Sequence, residues 1–176
     1  MDIYLVQHAQ AKSSEQDPAR PLSEEGISDI EKVAAYAGKL GFEVDRIYHS
    51  GKLRAQQTAE ILARHLDVPD RVETKSGLDP NDNVTPTKDW LVRLYLDGMR
   101  SVVIVGHLPF LDKLASLLVA DTEDLHVVVF QNAGIVKIVP KSSGSGYSIQ
   151  RIITPDIISI TNHEDRISSS RRATTE

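Results

Sequence analysis

The chain has 176 residues, of which 40% are apolar, and it carries a formal net charge of −5 with six histidines and no cysteine. This length and composition predict one compact domain with a sizeable core. The missing thiols exclude disulfides, cysteine metal sites and a cysteine nucleophile. Acidic and basic residues are interspersed, which argues against broad binding to nucleic acid or anionic membranes.

The N-terminus starts directly in a strand pattern. No basic and apolar leader of the signal-peptide type precedes this pattern, and no window approaches about 18 consecutive apolar residues. We therefore expect a cytoplasmic protein with no membrane partner and no nucleic-acid partner.

Strand and helix patterns alternate along most of the chain. Ser23 precedes Glu24 and Glu25 and predicts a helix N-terminus, and Gly41 is a natural stop for that helix. Pro86 suits the first turn of a later helix. Apolar residues at helical spacing, Ile27 to Leu40 in the first case, predict helices over about 24–40, 51–65, 86–97 and 109–119. Shorter runs predict strands at 3–6, 46–49, 72–74, 101–106, 127–130, 135–139 and 147–153.

The alternation of strand and helix patterns ends after about residue 120, because the last three strand patterns have no helix between them. We therefore expect an α/β fold whose mixed sheet is parallel at its centre and antiparallel at one edge. The apolar run 101–106 predicts a buried central strand. Residues 162–176 are polar and aperiodic. This divides the chain into a single domain at 1–161 and a flexible C-terminal tail at 162–176.

Two histidines directly follow strand patterns. His8 comes after the first of them and His107 after the buried run. In open α/β sheets, ligands bind beyond the carboxyl ends of the strands, so both imidazoles are expected in one crevice. The second strand pattern leads into a helix whose first turn carries Arg54, and a guanidinium there can hold two phosphate oxygens at once.

These strand ends carry a resemblance to a known family. The segments Gln7-His8-Ala9, 49–59 and 104–109, in this order, resemble the histidine phosphatase (phosphoglycerate mutase-like) superfamily, and its short SixA-like phosphohistidine phosphatases most closely. The resemblance spans about residues 1–155. It implies a three-layer α/β/α sandwich with a mixed, mostly parallel central sheet. It also implies a phosphatase without cofactor or metal, which acts on phosphohistidine in a protein and binds a phosphate or sulfate ion.

The resemblance assigns roles to particular residues. His8 would be the nucleophile that takes the phosphoryl group as a covalent intermediate. Arg54 and His107 would clamp the phosphoryl oxygens, where negative charge spreads in the transition state. Arg20 matches an arginine that lies at the mouth of the site in SixA-like proteins.

Two departures from the family pattern weaken the expected activity. Gln7 stands where the family has arginine, and it keeps only an amide donor for the phosphate. Exchanging a charged hydrogen bond for a neutral one would slow the reaction by about thirty- to two-hundredfold. Ala9 replaces a glycine, so its methyl can crowd the loop or demand another backbone angle. The candidate general acid is Asp79, ahead of Asp82.

Other interpretations stay open. The main alternative is a degenerate member of the same fold that binds phosphate or a phosphoprotein without turnover. A mutase is disfavoured because the chain lacks both the length and a convincing acid. Arg54 could also serve only a surface ion pair, His107 could be a buried structural histidine, and Asp79 could be only a turn-forming residue before Pro80. Short metal-ligand spacing is absent from the remaining histidines, His49, His65, His126 and His163, so no metal site is predicted.

Overall fold

The computed structural model describes residues 1–144 and 146–158, which form a six-stranded sheet. The strands are β1 Asp2–Gln7, β2 Arg46–His49, β3 Val72–Thr74, β4 Ser101–Gly106, β5 Ile135–Pro140 and β6 Tyr147–Ile153. Their order across the sheet is β3-β2-β4-β1-β5-β6. The first four of these are parallel, whereas β5 is antiparallel to both β1 and β6. The predicted mixed sheet is therefore confirmed.

Helices cover both faces of this sheet. They are α1 Glu24–Lys39, α2 Leu53–His65, α3 Thr85–Leu96 and α4 Phe110–Ala120, with a short 3-10 helix at Pro69–Arg71. One apolar cluster joins α1 and α2 to one face, and a second joins α3 and α4 to the other. Along β1, Tyr4 and Val6 belong to the first cluster, whereas Ile3 and Leu5 belong to the second. The structure confirms the expected three-layer α/β/α sandwich.

The first helix begins where its sequence predicts. The Oγ of Ser23 accepts a hydrogen bond from the backbone N–H of Gly26, and the chain leaves the helix through Gly41 at φ +66°. Two apolar positions nevertheless differ from expectation, because Ile27 and Leu40 are exposed. Ile27 lies in the first turn of the helix, and Leu40 is its C-cap residue.

The prediction of a strand at 127–130 is wrong. Apolar residues do alternate there, since Val128 and Phe130 are buried while Val129 is 86% exposed, yet the segment joins no ladder. Both edges of β1 are already taken by β4 and β5. The segment instead packs its inward side chains into the cluster beneath α3 and α4.

The parallel register brings three strand ends together. Gln7 lies opposite Gly106 on β4, and His49 of β2 lies opposite Val105. Backbone pairing continues one residue past β1, where His8 N–H donates to Gly106 O at 3.1 Å. The residues that follow β1, β2 and β4 therefore share one crevice at the carboxyl edge of the sheet.

The sequence predicts a single domain at 1–161 followed by a tail at 162–176. The predicted tail at 162–176 lies outside the described residues. Within the residues that are described, no helix is long and apolar enough to span a bilayer.

We expect Gly26→Ala to destabilise the fold by about 1–3 kcal/mol. A Cβ at residue 26 would lie far inside contact distance of the backbone oxygen of Gln10, in the loop that follows His8. The free energy of unfolding in urea would measure this loss. Gly51→Ala is the matched control, because its Cβ would meet only Thr74 Cγ2, at 3.8 Å. Equal stability of the two variants would contradict the predicted clash.

Candidate active site

His8 is held in one tautomer by two hydrogen bonds. Its Nδ1 lies 2.7 Å from the carbonyl oxygen of Ala9, and a carbonyl only accepts, so Nδ1 carries the ring proton. Its Nε2 lies 3.1 Å from Nε of Arg54, and a guanidinium only donates, so Nε2 bears a lone pair. Burial, followed by the charges of Arg54 and Arg20, lowers the pKa of His8 to about 4 against the raising effect of the Ala9 bond. His8 is therefore a neutral imidazole at neutral pH.

Arg54 lies in the first turn of α2, and a buried hydroxyl connects this turn to the loop that carries His8. Thr58 Oγ1 donates to the carbonyl oxygen of Arg54 at 2.7 Å and accepts from the backbone N–H of Ala9 at 3.0 Å. Burial and the charge of Arg20 lower the pKa of Arg54, whereas Asp79 raises it. Arg54 thus stays close to the imidazole and keeps its cationic fork.

His107 lies across the crevice, with its ring centroid 4.8 Å from that of His8. It is buried, and its Nε2 lies 2.6 Å from Oγ of Ser50. Its Nδ1 finds no hydrogen-bond partner among the residues that the structure describes. Burial, followed by His8, Arg54 and Lys52, lowers the pKa of His107 to about 3. The site therefore contains two neutral imidazoles beside one guanidinium.

Arg20 lies near the same group. Its charge contributes to the lowered pKa of both His8 and Arg54. Its backbone adopts φ +51°, and its Nε donates to the carbonyl oxygen of Lys12 at 3.3 Å. The structure thus brings Arg20 within electrostatic range of the cluster.

The two acidic candidates differ in their surroundings. The carboxylate of Asp79 pairs with Nζ of Lys52 at 3.1 Å, and its charge opposes the lowered pKa of His107. Asp82 instead accepts a hydrogen bond from the backbone N–H of Asp79 at 2.8 Å, within its own turn. Asp79 is therefore the acidic residue at the cluster, where it already has a cationic partner.

The structure accommodates the two departures at residues 7 and 9. Gln7 Nε2 donates to Asn132 Oδ1 at 3.1 Å, while its Oε1 is buried without a partner in the described part of the chain. Ala9 is fully buried, and its backbone stays outside the left-handed region that would favour glycine. The extra methyl therefore imposes no left-handed strain, and the amide of Gln7 is directed to Asn132.

Sequence reasoning missed three residues around this cluster. Ser50 follows β2 directly, as His8 follows β1, so the strand-end rule could have found it. Lys52 immediately precedes α2, and attention to charges at that junction would have identified it. Asn132 carried no signal, because it contacts Gln7 across 125 residues of sequence.

The surroundings suit a tetrahedral oxyanion. Arg54, Arg20 and Lys52 provide positive charge, and the first turn of α2 has neither an acidic residue nor a side-chain cap. Backbone N–H groups at a helix N-terminus favour anions. Within the described residues, no group of three or more His, Cys, Asp or Glu side chains is arranged to hold a metal ion. The positive charges and the uncapped start of α2 together favour an anion here.

The chain is similar to a protein family, to individual proteins and to solved structures. The family model described as histidine phosphatase superfamily (branch 1) matches residues 3–79. Phosphohistidine phosphatase SixA of Escherichia coli (strain K12) is 28% identical over 148 residues, which cover 83% of this chain and 89% of that protein. An uncharacterised protein of Picosynechococcus sp. is 31% identical over 139 residues, which cover 77% and 83%. The structure of SixA complexed with tungstate matches with a TM-score of 0.79 and 25% identity, covering 90% of this chain and 99% of that one.

We expect His8 and His107 to remain neutral in the folded protein down to about pH 5, because their pKa values are lowered to about 4 and about 3. Unfolded histidine titrates near 6.5, so the unfolded chain takes up protons first as the pH falls. The free energy of unfolding should therefore decrease from about pH 6.5 towards pH 4. Imidazole NMR titration and urea unfolding would measure the two effects.

The double variant His8→Asn with His107→Asn serves as the control, and it should show a shallower pH dependence of stability. Titration of either ring near pH 6.5 in the folded protein would contradict the prediction.

Proposed function

The chain belongs to the histidine phosphatase superfamily, and we propose that it removes phosphoryl groups from phosphohistidine in proteins through a phospho-His8 intermediate. The observation that carries the proposal is the pair of hydrogen bonds on His8. Nδ1 is tied to a backbone carbonyl, and the lone pair of Nε2 faces the guanidinium of Arg54. A neutral, oriented imidazole beside a phosphate-binding group is what in-line attack on phosphorus requires.

The reaction proceeds in two transfers. Nε2 of His8 attacks phosphorus and a new N–P bond forms, while the N–P bond to the substrate ring breaks and its electron pair returns to that ring, which carries a proton on its other nitrogen and leaves as a neutral imidazole. Water then attacks phosphorus on the opposite side, and Nε2 leaves with its lone pair restored while inorganic phosphate departs. The bond from Nδ1 to Ala9 O persists throughout and stabilises the positive charge that the ring gains as a phosphoimidazole.

The surrounding residues bind the phosphoryl oxygens. Arg54 moves its donors from Nε2 to two of these oxygens, and His107 approaches a third from the other side of the crevice. Arg20 adds charge at the mouth. Gln7 contributes at most an amide N–H, since that group is directed to Asn132. Stabilisation of equatorial charge is therefore the main contribution of this chain.

The substrate class follows from proton demand at the leaving group. Phosphate monoesters need an acid to protonate the leaving oxygen, and the candidate here, Asp79, is paired with Lys52. The imidazole of phosphohistidine leaves readily without a strong acid. The name of the E. coli relative, a phosphohistidine phosphatase, supports this choice, and the tungstate complex of SixA supports an oxyanion site.

The second candidate function is phosphoprotein binding without turnover. The observation that favours it is the neutral amide of Gln7, which is directed to Asn132 at the position where the family has arginine. This protein would bind the phosphoryl group through Arg54 and His107 and release it unchanged. Covalent trapping separates the two functions.

We expect brief incubation with a histidine-phosphorylated protein or with acetyl phosphate to leave acid-labile phosphate on His8. Quenching in alkali and peptide mass spectrometry would locate it, and phosphate release would measure turnover. His8→Ala should abolish both signals. His65→Ala is the matched control, because His65 lies at the other end of α2 and pairs with Glu31. Turnover no higher than that of His8→Ala would overturn the enzymatic proposal and favour the binding function.

We expect Gln7→Arg to raise kcat/KM for phosphohistidine by about thirty- to two-hundredfold, because a charged donor then faces the transition state. Steady-state phosphate release would measure the change. Gln10→Arg is the control, since it adds the same charge at an exposed position three residues further along. A lower kcat/KM in Gln7→Arg would refute the charge argument.

A further inference from the structure

We propose that Lys52 binds the phosphoryl group and supplies the positive charge that Gln7 lacks, and that Asp79 pairs with the Lys52 ammonium only until the phosphoryl group displaces it. The inference rests on the proposed function, because it concerns the same phosphoryl group. It adds a substrate-binding residue from the segment 49–59 that also carries Arg54, at a position to which the sequence analysis assigns no role.

The backbone places Lys52 beside the clamp. Lys52 is the N-cap residue of α2, two positions before Arg54, and its extended backbone differs from the helical turn that follows. Both residues therefore leave the same junction between β2 and α2. The Nζ of Lys52 is fixed by Asp79 at 3.1 Å rather than directed freely into solvent.

Asp79 belongs to the loop between β3 and α3, so the ion pair joins this loop to the start of α2. The charges of Lys52 and Asp79 act in opposite directions on the pKa of His107. Their ion pair consequently lies within electrostatic range of the buried imidazole. A lysine side chain that starts two residues before Arg54 can extend from this pair towards a ligand bound by Arg54 and His107.

The charge of the ligand makes the additional cation useful. A phosphoryl group in transfer spreads negative charge over three equatorial oxygens, and Arg54 can hold two of them. Gln7 offers no charge, and its amide N–H is bonded to Asn132. Lys52 has a flexible stem and a compact charge with three donors, so it can share the third oxygen with His107 and add the charge that a neutral imidazole lacks.

The Lys52–Asp79 pair is weak enough to exchange. The side chains are 35% and 53% exposed, and pairs of this kind contribute little because solvent screens them. A phosphoryl dianion offers the ammonium more negative charge than one carboxylate does. Lys52 can therefore pass from Asp79 to the ligand, after which the carboxylate repels the bound anion.

The test measures tungstate affinity by titration calorimetry, since tungstate binding needs no turnover. Lys52→Met should weaken the affinity about 10- to 100-fold, the range expected for a lost charged hydrogen bond. Lys52→Arg should keep most of it, and Asp79→Asn should tighten binding. In the Lys52→Met background, Gln7→Arg should restore affinity.

Lys75→Met is the matched control, because Lys75 follows β3 at the same edge of the sheet but its ammonium lies over the Trp90 ring. It should leave tungstate affinity nearly unchanged. Thermal unfolding of every variant would establish that the fold is retained.

The outcomes separate the inference from the function on which it rests. Equal affinity in the wild type and in Lys52→Met overturns the role of Lys52. So does weaker binding in Asp79→Asn, because it would make the pair a structural tie between loop and helix. A wild type that binds no tungstate overturns both proposals, whereas tungstate binding without phospho-His8 removes only the turnover.

Discussion

The buried hydroxyl of Thr58 is the contact on which the geometry of the site depends. It accepts from the backbone N–H of Ala9 and donates to the carbonyl oxygen of Arg54, so it joins the loop after β1 to the first turn of α2. The carbonyl of the same Ala9 fixes the ring of His8. A single side chain thereby sets the separation between the imidazole and the guanidinium, and both groups are oriented before any ligand arrives.

The two buried imidazoles both have a lowered pKa, but they differ in their hydrogen bonds. In both rings burial lowers the pKa and favours the neutral form. His8 has one nitrogen bound to a carbonyl and the other facing Arg54, which leaves a lone pair at a defined place. His107 is bound to Ser50, and a hydroxyl can donate or accept, so the ring keeps its position in either tautomer. The first arrangement suits a nucleophile and the second suits a donor that responds to its ligand.

The sequence predicted the parts of the fold that follow from local pattern. Strand ends at His8 and His107, the cap at Ser23 and the buried run of β4 were all readable, because periodicity and capping are properties of neighbouring residues. The strand expected at 127–130 was not formed, because pairing depends on distant segments that local alternation does not reveal; Val128 and Phe130 pack into the cluster beneath α3 and α4 without joining the sheet. The contact between Gln7 and Asn132 could not be predicted for a similar reason, since Asn132 lies 125 residues away in the sequence.

The position of the cation that binds the phosphoryl group determines how strongly salt weakens that binding. A guanidinium at residue 7 would extend from the end of β1, a central strand of the sheet. An ammonium at residue 52 lies on a flexible stem at the rim and is one-third exposed. Mobile ions screen such a charge over about 8–10 Å at physiological ionic strength. Phosphoryl binding that depends on Lys52 is therefore sensitive to salt. Under the proposed function, the same exposure leaves the Lys52 ammonium accessible to acidic groups on a protein substrate.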